Sequence, residues 1–293
     1  MAQAEKTRIS SIEEILGIGL ETAGHTVAYA VVALLHHYPN SMRLLTQARD
    51  LSRRKARDRD ALFVVEGIRA TEELLASPLT VAGVLCGPQL IDSARGAHLR
   101  AAIERAGLEV SDVSEREFAS AATTDSPQGV LAIVEVPERT LARFESREPI
   151  RLLVLDAVQD PGNVGTLLRT AHALGIDATV ALPGTVDVWN AKVVRSAMGA
   201  LFHHHALHAS LTELGAFLRD QAIPLWAADA AGASVDDIVP PSKLALAVGN
   251  EGGGLTADVR AMASRIVALP IRNGFDSLNV AVAAGILLYE LRP

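Results

Sequence analysis

The sequence holds a single cysteine, Cys86. One thiol can build neither an internal disulfide nor a cysteine zinc cluster, as expected of a protein in a reducing cytosol. Its neighbours Val84, Leu85 and Gly87 make Cys86 read as a small buried hydrophobe. Positive charge is in deficit as well: 27 Lys+Arg stand against 34 Asp+Glu, a formal net charge of -7. No global field would draw such a chain to nucleic acid, so any contact needs a local patch. Long hydrophobic runs are missing. Ile15 to Leu35 is interrupted by Glu21 and His25, and Val27 to Leu35 is too short to span a bilayer. Nor does a basic start, apolar centre and small-residue cleavage site occur in the order a secretory signal requires. A cytoplasmic protein without a membrane segment is expected. No dinucleotide fingerprint is present either, since Gly17, Gly19 and Gly24 are wrongly spaced and follow no strand. His203-His204-His205 with His208 cannot converge on one ion if the run is a strand, because successive side chains alternate faces. Asp236-Asp237 lacks calcium-loop spacing, so no metal is expected.

What is present is core material: 49% of 293 residues are hydrophobic, enough for about two domains. Residues 1–41 differ in character from the rest and are expected to be an N-terminal extension, or sequence upstream of a start at Met42. Between Arg43 and Arg59 the chain is locally basic, with Arg53, Arg54, Lys55 and Arg57 at its centre. This density in an acidic protein points to RNA phosphates. Strands are expected over Ala61–Val65, Val81–Cys86, Leu108–Val113 and Val130–Val136, with helices between them. Residues 42–136 thus form a small alternating α/β domain. Residues 137–150, with mixed charge and no apolar period, read as a linker.

Residues 151–293 form a second α/β domain. Arg151–Val158 is the continuous apolar run of a buried parallel strand. A helix over Val164–Leu174 follows, then strands over Asp177–Leu182, Phe202–Leu207, Pro224–Ala228, Leu244–Val248 and Arg265–Leu269. Asn190–Ala200 and Ser277–Leu291 read as helices. Three clusters stand out. Asn163-Val164-Gly165 lies where a helix cap would, with Arg169 one turn above the glycine. Gly249, Gly252, Gly253 and Gly254 surround Asn250 and the lone carboxylate Glu251. Four glycines have no use inside a strand or helix but suit a loop that a ligand approaches closely. The third cluster runs from Leu269 to Val280, with Ser277 as a possible helix cap and Asn279 in the first turn.

Together, in this order and spacing, the clusters resemble the three motifs of the SpoU/TrmH family of RNA ribose 2′-O-methyltransferases, within the SPOUT superfamily. The resemblance covers residues 151–293 and includes Asn190–Phe202. Residues 42–136, notably Phe63–Gly67, are similar to the family's ribosomal-protein-like substrate-binding domain. The family fold it implies is a parallel α/β domain with a C-terminal trefoil knot. The resemblance also implies S-adenosyl-L-methionine as cofactor, held against Gly249, Leu269 and Leu278 largely by main chain. It implies Asn163, Arg169, Glu251, Ser277 and Asn279 as catalytic and substrate-positioning residues, and a homodimer with the site at its interface. The family commonly has glycine three residues after the motif-three proline; here Asn273 stands there and Gly274 follows.

The implied substrate is ribosomal RNA. The alternatives are the same chemistry on tRNA, or a non-catalytic RNA-binding assembly factor. Arg169 could act as general base or as a charged stabiliser. Holding a guanidinium neutral near pH 7 costs about 9 kcal/mol, from roughly seven pKa units at 1.36 each. A charged Arg169 facing the developing alkoxide, or gripping the adjacent phosphate, meets the need at lower cost.

Overall fold

The most apolar run in the second half becomes its central strand. In a computed structural model that describes residues 42–271 and 278–292, β5 (Ile150–Asp156) is buried along its whole length. Burial on both faces demands parallel neighbours with helices above and below, and those are found. The strands β6 (Ala178–Ala181), β7 (His205–His208), β8 (Leu225–Ser234), β9 (Lys243–Gly249) and β10 (Arg265–Ala268) join it in the order β10-β8-β9-β5-β6-β7, all parallel. Alternate residues of β5 serve opposite faces. Leu153 and Leu155 pack with α6 (Pro161–Ala173), α7 (Ala191–Ser196) and α11 (Val280–Glu290). Leu152 and Val154 pack with α9 (Leu211–Asp220) and α10 (Ala257–Met262).

The first half builds a smaller mixed sheet. Residues 42–50 are helical (α1), and α2 is Arg54–Asp60. β1 (Leu62–Glu66), β2 (Val81–Cys86), β3 (Val110–Asp112) and β4 (Val130–Glu135) take the order β1-β4-β2-β3, in which only β2 and β3 run parallel. Helices α3 (Ile68–Leu75), α4 (Ala94–Arg105) and α5 (Glu115–Ala119) lie between the strands in sequence. Burial pushes the Cys86 thiol up to about 11. From Leu44 onward the described residues form one compact unit, and the two sheets share an apolar cluster in which Phe63 meets Trp189 at 4.6 Å. Residues 137–149 are packed rather than free: a 3₁₀ turn at Leu141–Phe144 buries Phe144 edge-on to His205, and Arg139 lies over Trp189.

Several sequence expectations are corrected. The strand expected over Phe202–Leu207 begins in a helix: α8 (Ala200–His203) starts from Gly199 in the left-handed region and buries Leu201 and Phe202 before β7 begins. The histidine run therefore splits. His203 stacks with His172, and His205 packs on Phe144. His204 is buried against Thr179 Oγ1 at 2.7 Å and is held at about 3 by burial, with His172, Arg139 and His205 adding to the shift. β8 continues well past Ala228, with a bulge between Ala227 and Ala233 opposite β10. Arg57 is buried, not offered to solvent; it pairs with Asp187 at 2.6 Å. The expectations for residues 1–41, Asn273, Gly274 and Ser277 lie outside the described residues. Among the described residues no helix is long and apolar enough to cross a membrane, and no group of His, Cys, Asp and Glu is arranged to hold a metal.

Candidate active site

The chain runs from β5 outward to β7, then returns to the other side of β5, so the strand order reverses between β5 and β9. Open α/β sheets bind ligands at the carboxyl ends of strands at such a switch point. Here those ends are Asp156 and Gly249, which are register partners.

Beyond Gly249 the chain makes a tight loop closed by Asn250 N to Gly254 O and Gly254 N to Asn250 O, both 2.9 Å. Asn250 organises it. Its Oδ1 accepts from Gly252 N (2.9 Å) and Gly253 N (2.8 Å), and its Nδ2 donates to Ala157 O (3.0 Å) at the end of β5. The buried Asp156 accepts from Thr256 N at 2.6 Å, pinning the loop's exit to the same strand. Two glycines are required by geometry. A Cβ on Gly249 would fall on the Gly254 carbonyl carbon and 2.5 Å from Leu255 N, and Gly254 has φ +66°.

The loop presents Glu251 outward, where its Oε1 accepts from Asn163 Nδ2 at 2.7 Å. Asn163 Oδ1 in turn accepts from Asn279 Nδ2 at 3.0 Å. Asn279 Oδ1 accepts from Ala281 N (2.9 Å) and Val282 N (3.3 Å), which fixes its amide. The result is a directional chain in which every amide NH2 points toward the carboxylate. Two local readings change accordingly. Asn163 does not cap α6: Asp160 does, accepting from Asn163 N at 2.7 Å, with Pro161 as the first helical residue. Asn163 is left free to face Glu251. Asn279 is itself the cap of α11 rather than a first-turn residue.

Arg169 is not part of this relay. Six residues after Asn163, it points about 120° away around α6. It is exposed, and its Nη1 reaches Met198 Sδ at 3.2 Å. α6 lies tightly against α7 because Gly165 has no side chain; a Cβ there would overlap Ser196 Cβ and stand 2.9 Å from Ala197 N.

Behind the relay is a cavity of about 460 Å³, in the range of small-molecule sites. Gly249, Leu269 and Leu278 all line it, with Val248 and Leu287 adding apolar wall and Asp229, Glu251 and Asn279 adding polar groups. Of the basic residues singled out in the first half, Arg53 and Arg54 are exposed and paired with Asp50 and Asp58, and Lys55 is exposed. Arg57 is spent on Asp187 and on the Leu51 and Ser52 carbonyls, because its face of α2 turns inward. The sequence placed Asn250 in the glycine loop, Asp156 in a strand and Met198 in the Asn190–Phe202 segment, but gave none of them a role. Asp160 was missed as a cap, although Asp-Pro-Gly is a helix-start signal that could have found it.

Residues 151–289 match the SpoU rRNA Methylase family, and residues 44–132 match the MRM3-like substrate binding domain. The chain is 36% identical over 243 residues to the 23S rRNA (guanosine(2553)-2′-O)-methyltransferase RlmP of Bacillus subtilis, covering 83% of this chain and 93% of that one. It is 34% identical over 197 residues to a 23S rRNA (guanosine-2′-O-)-methyltransferase RlmB of Bordetella pertussis, covering 64% and 79%. Among solved structures it resembles the SpoU methyltransferase AviRb of Streptomyces viridochromogenes in complex with AdoMet, with TM-score 0.74, 28% identity, and 84% and 96% of the two chains covered. An AdoMet-bound rRNA methyltransferase from Sinorhizobium meliloti is equally similar, with TM-score 0.74, 28% identity, and 85% and 93% covered. With its motifs gathered at the switch point and relatives similar over most of their length, this chain belongs to the SpoU rRNA methylase family.

Proposed function

We propose that this protein is an S-adenosylmethionine-dependent methyltransferase that methylates a ribose 2′-hydroxyl in ribosomal RNA, acting in the cytoplasm as a homodimer. The observation that carries this is the Asn163–Glu251–Asn279 relay at the rim of the glycine-loop cavity. The cavity suits the cofactor: apolar wall from Leu269, Leu278 and Leu287 for an adenine, and polar groups for its charged end. When bound, S-adenosylmethionine supplies a methyl group already activated on a sulfonium. Gly249, Leu269 and Leu278 would hold it. The relay residues would orient the ribose, with Glu251 anchoring the two amides. Arg169, kept charged, would stabilise the oxygen as its proton passes to solvent and the O–CH3 bond replaces the S–CH3 bond, leaving the cofactor as the neutral thioether.

Residues 42–136 serve as the RNA-binding domain, with Arg53, Arg54 and Lys55 as phosphate contacts, joined through 137–150 to a methyltransferase domain over 151–293. The dimer reading rests on α11. Val282, Ile286 and Tyr289 are 52%, 42% and 49% exposed, and their spacing of four and three places them on one helical face. A second copy covering this stripe would also complete the site, since Arg169 does not reach the relay within one protomer. The test is methyl transfer from labelled S-adenosylmethionine to unmodified ribosomal RNA and, separately, to bulk tRNA. Label in ribosomal RNA supports the reading. Label only in tRNA overturns the substrate, and none in either, with cofactor bound, favours a binding role.

A further inference from the structure

Between α3 and the turn joining α7 to α8 lies a cleft of about 780 Å³, separate from the glycine-loop cavity. Arg69, Arg95 and Arg195 line it. Arg95 is committed to Glu72. Arg69 and Arg195 are exposed and make no direct hydrogen bond or salt bridge among the described residues, though the charge of Arg69 also acts on Glu72. Of the carboxylates on the walls, Glu66 is occupied by Thr123 N at 2.7 Å and by the Thr123 and Thr124 hydroxyls.

Met198 stands at the cleft's edge. It is 56% exposed with φ 49°, a conformation that glycine takes freely and a side-chain-bearing residue rarely does. Such outliers gather at functional sites. Its sulfur is the acceptor for Arg169. Gly199 follows at φ 86°, and a Cβ there would come within 3.0 Å of Glu73 Cβ, so the turn is seated directly on α3.

We propose that this cleft holds the RNA strand beside the nucleotide being methylated, with Arg69 and Arg195 gripping backbone phosphates and Met198 supporting a flanking base. The proposal rests on the reading that Arg169 marks the reacting ribose. Two unpaired guanidinia in a chain of net charge -7 are a local patch of the kind a polyanion needs, and a guanidinium fork matches phosphate geometry. A thioether is polarisable and packs well on an aromatic face. Glu73, exposed on the same wall, is an acceptor that a base edge can use and a phosphate avoids. The bases therefore belong on the Met198 side.

The experiment compares the full chain with Arg69→Gln/Arg195→Gln and with Arg69→Lys/Arg195→Lys, measuring binding to unmodified 23S rRNA transcript over a salt series. Each single-strand phosphate contact removed lowers the slope of log K against log salt by about 0.7, so the glutamine variant should lose about 1.4. The lysine variant should keep the slope. Met198→Ala should raise KM for RNA severalfold while Kd for S-adenosylmethionine stays unchanged. A wild-type protein that binds and methylates RNA, beside a glutamine variant with an unaltered slope, overturns the proposal and leaves the proposed function standing. A wild type that binds cofactor but no RNA overturns both.

Discussion

Replacing Arg57 with alanine would leave Asp187 a buried carboxylate without its cation. Both side chains are almost fully buried, at 5% and 6% exposure. The guanidinium donates to Asp187 Oδ2 through Nε at 2.7 Å and its Nη2 stands 2.6 Å from the same oxygen as an ion pair, while Nη1 satisfies the carbonyls of Leu51 and Ser52. Removing one partner of a buried pair costs about 3–5 kcal/mol, against roughly 0–1 for an exposed one. Urea unfolding of Arg57→Ala should therefore show a large drop in midpoint, and an Arg57→Met/Asp187→Leu double variant should recover most of it. The acid limb should change in step. Burial works to raise Asp187, but hydrogen bonds from His208 and Trp189 N–H, with the Arg57 charge, outweigh it and hold the carboxyl at about 2, below the usual 3.8. A depressed carboxyl stabilises the fold above about pH 4, and this contribution is lost as pH falls through about 2. In Arg57→Ala that acid loss should shrink. A stability loss below about 1 kcal/mol, with RNA affinity reduced instead, would refute the structural role and restore Arg57 as an RNA ligand.

Gly249→Ala forces a Cβ onto the Gly254 backbone, which has no flexible end to yield. Calorimetry should show cofactor affinity falling at least tenfold with the overall fold intact. Asn163→Ala removes the middle of the relay but leaves the Asp160 cap in place. Single-turnover methylation should slow roughly ten- to a hundredfold, the equivalent of about 1.5–3 kcal/mol for hydrogen bonds to a charged group. Ile286→Asp puts a charge in the exposed stripe of α11 and should give monomers by sedimentation, with activity lost alongside.

The α/β alternation was readable because buried parallel strands must be apolar runs: β5 and β9 stand out in any window. The glycine loop was readable for the opposite reason, as so many glycines serve no regular element. Arg57 was misread because a count of charges along a helix does not say which face turns inward, and its partner Asp187 lies 130 residues away. The roles of Asn163 and Asn279 came out exchanged with those of caps for a similar reason. Several residues around each helix start could cap it, and only the fold decides that Asp160 takes one cap and Asn279 the other. The last six residues of β8 lack an apolar signal, since Asp229 to Ser234 are small or polar and half exposed, held instead by pairing with β10 across a bulge. Met198 lay within the Asn190–Phe202 stretch of the resemblance but with no role attached, because its backbone conformation and its contact with Arg169 exist only in three dimensions.

The most direct measurement is the position of the transferred methyl group. Ribosomal RNA labelled from S-adenosylmethionine by the purified protein would be hydrolysed in alkali, with Arg169→Ala run alongside. A methylated 2′-oxygen cannot attack the neighbouring phosphate, so label should appear in an alkali-resistant dinucleotide and be nearly absent with Arg169→Ala despite unchanged cofactor binding. Label released in mononucleotides would place the methyl group on a base and rule out 2′-O-methylation.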